Sequence, residues 1–265
     1  MPSHSSPLRA DANAGRVALV TGGGTGVGRA TALELAATGA AVIVCGRREQ
    51  PLRATEAAIA GAGGECLAIP ADVREPDQVQ RVVDAGIERF GDIDVLVNNA
   101  GGQFSAPAQD ISDNGWRAVH RLAVDAAWTV TRTVANRSMI PRRRGLLVFI
   151  GFSPRHGSPG FAHAHAARAA VANLASGLAL EWSVHGIRSV CLALGTIATE
   201  GLEQYGEAEI ERWRRAVPLG RLGTPEEVAS LIAFLASGGG AYITGTTIAV
   251  DGGTDAWGLG EPPPR

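Results

Sequence analysis

At 265 residues, with a formal charge of −2 and an isoelectric point near 6.3, the chain has room for one large α/β domain and no basic surface suited to nucleic acid or an anionic membrane. Cys45, Cys66 and Cys191 are widely spaced and mostly set in apolar runs, which suits buried thiols in a reducing cytosol and supplies neither a disulfide frame nor a metal site. All 24 basic residues are Arg, so lysine chemistry, Schiff-base formation included, is excluded, and the only tyrosines are Tyr205 and Tyr242.

Residues 1–14, rich in Ser, Pro and Ala, lack the apolar core of a signal peptide, and no segment is apolar for the length of a membrane span. They read as a disordered tail on a soluble, cytoplasmic protein. The folded domain then covers 15–254, with 255–265 as a second tail.

Arg16–Thr21 is a short apolar run rich in β-branched residues, the mark of a buried strand, and Gly26–Thr38 reads as a helix. Between them the glycines let the chain turn sharply. Gly22 and Gly26 present no Cβ to an approaching pyrophosphate, Gly28 lets the helix pack closely on the strand, and the N–H groups of the helix start, around Thr25, Gly26 and Val27, face an anion. A dinucleotide is the natural guest. Gly39–Cys45 completes a βαβ unit, after which an acid would hold the 2′-hydroxyl of NAD and an arginine would accommodate the 2′-phosphate of NADP. Arg47 and Arg48 stand there, ahead of the first acid, Glu49, so NADP(H) is expected in preference to NAD(H), with Arg47 on the phosphate.

A helix over Gln50–Ala60 and a strand over Glu65–Pro70 lead to Asp72, which either N-caps the next helix or meets the adenine edge. Helix Pro76–Phe90 carries Val79, Val82, Val83 and Ile87 at helical spacing, and strand Ile93–Val97 ends in Asn98-Asn-Ala-Gly101. A long helix is predicted over Asn114–Met139, a solvated basic loop at Arg142–Arg144, a strand at Leu146–Ile150 and an Ala-rich helix over Ala162–Val184. Strand Ile187–Leu192 precedes a lid at about 200–217 that holds a polar helix, Glu207–Ala216. Thr224, Pro225 and Glu227 have the spacing of a reciprocal helix cap, and Tyr242–Gly253 is a last strand. The alternation argues a single α/β domain, a Rossmann-like doubly wound parallel sheet with helices on both faces.

Thr21-Gly-x-x-x-Gly-x-Gly28 and Asn98-Asn-Ala-Gly101 together resemble the signatures of the short-chain dehydrogenase/reductase family, and the likeness runs from about residue 15 to 254. The resemblance implies that Asp72 and Val73 contact adenine, that Asn98, Ala100 and Gly101 lie along the cofactor, and that Ile197 and Thr199 meet its nicotinamide end. It also implies a homodimer or homotetramer built through the helices at 114–139 and 162–184.

Most members of that family use a Tyr as proton donor with a Lys four residues on, since the cation lowers the phenol pKa and the i, i+4 spacing puts both on one helix face. Here Ala164 stands at the Tyr position and Arg168 at the Lys position. Ala123 replaces the supporting Asn, Gly151 or Phe152 the polarising Ser, with Ser153 out of register, Leu194 a Pro and Val190 a further Asn.

A narrower likeness rests on Asn98–Phe104, Ile111-Ser-x-x-Gly-Trp116, Ala162-His163, Ala166-Ala-Arg168-Ala and Asn173-Leu174, which are similar to the peroxisomal trans-2-enoyl-CoA reductase subgroup and its bacterial relatives. It implies NADPH-dependent reduction of a conjugated thioester. Arg168 would hold the nicotinamide ribose and support an enolate oxygen, with His163 or a water supplying a proton and Tyr205 as an alternative donor. The chain departs from the subgroup at Ala164, Ala123 and Leu194, where the subgroup has Ser, Asn and Pro. Two other readings stay open: a non-redox isomerase, dehydratase or cyclase using the old pocket, and a non-catalytic partner subunit.

Overall fold

The computed structural model describes residues 6–152 and 157–257, so Ser153 and the outer parts of both expected tails lie outside the described residues. Strands β1 (Val17–Thr21), β2 (Ala41–Gly46), β3 (Cys66–Pro70), β4 (Val95–Asn98), β5 (Gly145–Phe152), β6 (Ile187–Leu194) and β7 (Thr247–Val250) form one parallel sheet in the order β3-β2-β1-β4-β5-β6-β7. Their apolar runs are continuous because both faces are covered. Alternate residues point to opposite layers. Leu19, Ile43, Leu96, Leu147 and Phe149 pack with α3 (Pro76–Phe90), α5 (Ala126–Val134) and α7 (Ala162–Glu181). Val20, Val44, Val97 and Val148 pack on the other side with α1 (Gly26–Ala37), α2 (Glu49–Gly61) and α9 (Pro225–Ala236). Chain direction across the sheet reverses between β1 and β4, which opens a crevice at the carboxyl ends of those strands.

The predicted long helix is continuous but not uniform. It comprises α4 (Asp113–His120), a π turn at Arg121–Asp125, α5, a second π turn at Ala135–Met139 and the short α6 (Ile140–Arg142). Each π turn admits an extra residue and resets which face looks at the sheet. At its end Arg142, Arg143 and Arg144 are exposed as expected, and each also has a partner: Arg142 pairs with Asp92 at 3.3 Å, Arg143 donates to the Val184 carbonyl at 2.6 Å, and Arg144 pairs with the buried Asp94 at 2.7 Å. The predicted helix over 162–184 ends earlier, at Glu181, in a 3₁₀ turn over Ser183–His185. Of the predicted last strand only Thr247–Val250 pairs with β6, and Tyr242 is fully exposed. The cap on α9 is complete, with Glu227 N–H donating to Thr224 Oγ1 and Thr224 N–H to the Glu227 carboxylate.

The largest correction concerns residues 6–14, expected as disordered tail. Asn13 is buried, and its amide donates to Thr38 Oγ1 at 2.9 Å and to the Ala233 carbonyl at 3.1 Å, so it staples the end of α1 to α9. Ser6 reaches Glu34 at 2.6 Å. At the other end, α10 (Thr254–Trp257) carries a buried Asp255 into the segment expected as tail. Asn13→Ala leaves two buried partners without their donor, so urea unfolding should show a loss of about 1–3 kcal/mol; a disordered tail would give none.

Candidate active site

The crevice is built around one hydroxyl. Thr21, the last residue of β1, accepts the Asn99 and Ala100 N–H groups at 3.0 and 2.9 Å and donates to the Val97 carbonyl at 3.2 Å. A hydroxyl has one proton and two lone pairs, and all are used. In return the Asn99 amide donates to the Thr21 and Gly22 carbonyls at 2.9 and 3.3 Å. The glycine turn is therefore bolted to the end of β4.

Gly22 and Gly26 have φ of +67° and +52°, the left-handed region that favours glycine. A Cβ on Gly28 would overlap the Gly22 carbonyl and the Asn99 amide, so that glycine is required by the turn itself rather than by helix-on-strand packing. Thr25 makes no side-chain cap bond to α1, whose first turn contains no acid. The N–H groups around Gly26, Val27 and Gly28 thus form an uncapped positive end, a fit for an anionic diphosphate.

At the far end of β2, Arg47 and Arg48 are both exposed, and Arg48 leans back to within 3.4 Å of Thr25 Oγ1. Asp72 does not cap α3: the N-cap residue is Glu75, without a side-chain bond. Asp72 instead accepts the Arg74 N–H at 3.0 Å and is clasped by the Arg74 guanidinium, whose Nε lies 2.9 Å away. That hydrogen bond holds the carboxyl at about 2. Val73 is buried beside it.

Across the crevice, Asn98 turns away and donates to Thr131 Oγ1 at 2.9 Å, anchoring α5 to β4. Ala100 and Gly101 continue along the crevice wall, and a Cβ on Gly101 would overlap the Arg168 guanidinium. Arg168 is buried, donates to the Ile150 carbonyl at 2.6 Å and lies 5.5 Å from the Phe152 ring centroid. Burial lowers its pKa, yet among the described residues no carboxylate pairs with it. An unpaired buried guanidinium with unused donors is costly to the fold and favours an electron-rich guest.

The helix face around Ala164 is apolar. Ala123, within the first π turn, and Ala164 join Val119 and Ala167 in a small cluster covered by Phe152 and Phe161. His163 is wholly buried against Phe104, with ring centroids 4.3 Å apart. Neither of its ring nitrogens has a partner among the described residues. Five residues separate it from Arg168, roughly 140° around the helix, so the two do not share a face. Burial, then the neighbouring His120, lowers its pKa. His165, also lowered by burial, accepts the Ser158 N–H at 3.1 Å.

Ile197 bridges to Gly223, and Thr199 crosses to the glycine turn, its methyl 3.2 Å from where a Cβ on Gly26 would stand. The segment expected as a lid follows as a 3₁₀ turn over Glu200–Tyr205 and α8 (Glu207–Ala216). Tyr205 packs edge-on against Trp213 and Phe161, with centroids 5.0 and 5.9 Å away. Burial raises its pKa, and the Gln103 side chain opposes that shift. Sequence reasoning missed the roles of Asn99, Arg74 and this aromatic trio. The Asn98-Asn-Ala-Gly101 motif pointed to the first, while nothing local marks the others.

A family model described as enoyl-(acyl carrier protein) reductase matches residues 22–255. A probable 2,4-dienoyl-CoA reductase of Bacillus subtilis is 36% identical over 243 residues, covering 90% of this chain and 96% of the relative. The chain is a short-chain dehydrogenase/reductase. Among solved structures of this family of oxidoreductases, a citronellol catabolism dehydrogenase from Pseudomonas aeruginosa PAO1 superposes with a TM-score of 0.85 at 36% identity, covering 95% of this chain and 100% of that one. A putative NAD(P)-dependent gluconate 5-dehydrogenase from Beutenbergia cavernae with bound NADP gives 0.86 at 33% identity, over 94% and 100%. No helix among the described residues is long and apolar enough to cross a membrane.

His163 and His165 are both held neutral by burial, with pKa values below the ordinary 6.5. An unfolded chain takes up those protons first, so their contribution is full above about pH 6.5 and is lost as pH falls through the folded values. The melting temperature should therefore drop on acidification toward pH 5, and by less in His163→Phe, which keeps the ring against Phe104 and removes one proton site.

Proposed function

We propose that this short-chain dehydrogenase/reductase is an NADP(H)-dependent reductase of small molecules carrying a conjugated, thioester-linked double bond. The observation that carries the reading is the pairing of an uncapped diphosphate seat at α1 with a buried guanidinium, Arg168, at the other end of the same crevice, which no carboxylate among the described residues neutralises. The dienoyl-CoA reductase named above acts, by its name, on a conjugated thioester, which supports the substrate class. The NADP in the Beutenbergia neighbour supports the cofactor.

On this reading Gly22, Thr25, Gly26, Val27 and Gly28 hold the diphosphate, and Arg47 takes the 2′-phosphate. Asp72 and Val73 border the adenine, while Ala100, Gly101, Ile197 and Thr199 line the way to the nicotinamide and Asn98, turned away onto Thr131, only holds that wall in place. When bound, the cofactor supplies a hydride to the β-carbon of the double bond. Arg168 holds the nicotinamide ribose and directs guanidinium donors at the oxygen where negative charge develops, without surrendering a proton. The buried position of His163 favours water as the proton source over His163 itself. Ala166, Ala169, Ala170 and Asn173 give α7 an exposed face of small side chains, which suits a cytoplasmic homodimer or homotetramer formed through the helices.

A second reading has its own support: the apolar cluster of Ala123, Ala164, Phe152 and Phe161, which lacks any relay group, favours a non-redox isomerase, dehydratase or cyclase on the same scaffold.

Fluorescence titration should show NADPH binding more tightly than NADH, with the preference reduced about tenfold in Arg47→Ala as a charge-assisted contact is lost. A trans-2-enoyl thioester should consume NADPH one to one, and Arg168→Leu should lower turnover about a hundredfold. Product formation without NADPH oxidation would favour the non-redox reading.

A further inference from the structure

The lid starts on top of the diphosphate seat. Thr199 lies against Gly26, and Oε2 of Glu200 is 3.9 Å from where a Cβ on Gly26 would stand. Gly26 is the first residue of α1, so this carboxylate sits beside the positive end of that helix. Glu200 borders a cleft of about 400 Å³ with Arg29, Thr224, Pro225 and Glu226. Among the described residues no arginine pairs with Glu200, although Arg29 lines the same cleft and Arg48 reaches Thr25. The turn thus has a guanidinium at Thr25 and a carboxylate at Gly26.

The geometry points to Glu200 as an electrostatic gate on nucleotide binding: its carboxylate competes with the diphosphate for the positive end of α1 and holds nucleotide affinity down. The inference rests on the reading that this seat takes a dinucleotide. Two negative groups a few ångströms apart at a half-open site repel through water and protein together, and salt screens them only in part. Seating the diphosphate therefore requires Glu200 to swing outward. Because Glu200 begins the 3₁₀ turn that ends in Tyr205, that movement is transmitted to the aromatic trio covering the far end of the crevice. Glu200 acts on the nucleotide by position and charge, and no bond is made or broken by it.

The test is titration of NADPH, followed by its fluorescence, into the full-length wild type and into Glu200→Gln, Glu200→Ala and Glu226→Gln. Circular dichroism verifies that each variant is folded. Removing the charge at Glu200 should tighten binding about three- to tenfold, with the gain shrinking as salt is raised. Glu226→Gln, which alters the same cleft without facing Gly26, should stay within about twofold of wild type. Unchanged or weaker binding in Glu200→Gln would overturn the gate, as would tightening in Glu200→Ala alone, which would mark a steric effect. Wild type that binds while Glu200→Gln gains nothing refutes the gate and leaves the nucleotide reading standing. Binding by Glu200→Gln alone supports the gate, and binding by neither protein removes both.

Discussion

The tie between β1 and β4 through the Thr21 hydroxyl is the constraint on which the site depends. These strands are neighbours in space and 78 residues apart at the bonded atoms, and they meet where the strand order of the sheet reverses. Thr21 and Asn99 exchange hydrogen bonds there until every donor and acceptor of the hydroxyl is matched. One of these bonds is buried and the others are partly buried, so losing one leaves polar atoms poorly matched by water. The tie holds the glycine turn, the start of α1 and the Ala100–Gly101 wall in one rigid piece, and that rigidity leaves the helix end uncapped and outward-facing.

From that fixed wall the reacting end of the crevice can be understood as a problem in charge placement. Gly101 has no side chain, and the Arg168 guanidinium fills the space a Cβ would take, held by the Ile150 carbonyl and the Phe152 ring. A lysine ammonium at this position would serve to depress a phenol. A planar guanidinium with no phenol beside it offers several donors in fixed directions and no transferable proton. The surrounding alanines and phenylalanines remove competing acceptors and keep the local dielectric low, which strengthens whatever interaction the guanidinium makes.

The lid connects the two ends. Its first residues lie on the glycine turn, and its later ones, Tyr205 and Trp213, lie on Phe161 at the start of α7. One short segment therefore touches the diphosphate seat and the wall around Ala164. Contacts of this kind depend on side chains from elements far apart in sequence, which is why local residue order marks the polar helix at 207–216 but not what this segment touches.

Several features were legible in the sequence because their causes are local. Apolar runs declare strands covered on both faces, glycines at positive φ declare the turn, and Thr224 with Glu227 declares a helix start. Asn13 was misread because its partners, Thr38 and Ala233, lie elsewhere in the chain: a polar residue looks solvated until the chain returns to it. Arg142–Arg144 are exposed as expected, and only their distant partners were not legible. The sequence by itself determined the sheet, the cradle and the absence of a phenol–ammonium couple. Only the tertiary structure decided that Asn99 bolts the cradle, that Arg168 is buried with no acid beside it among the described residues, that His163 lies on another face of the helix and that Glu200 stands beside the helix end. Each of those is a meeting of groups brought together by packing, and pairwise distance across the fold is not written in local residue order.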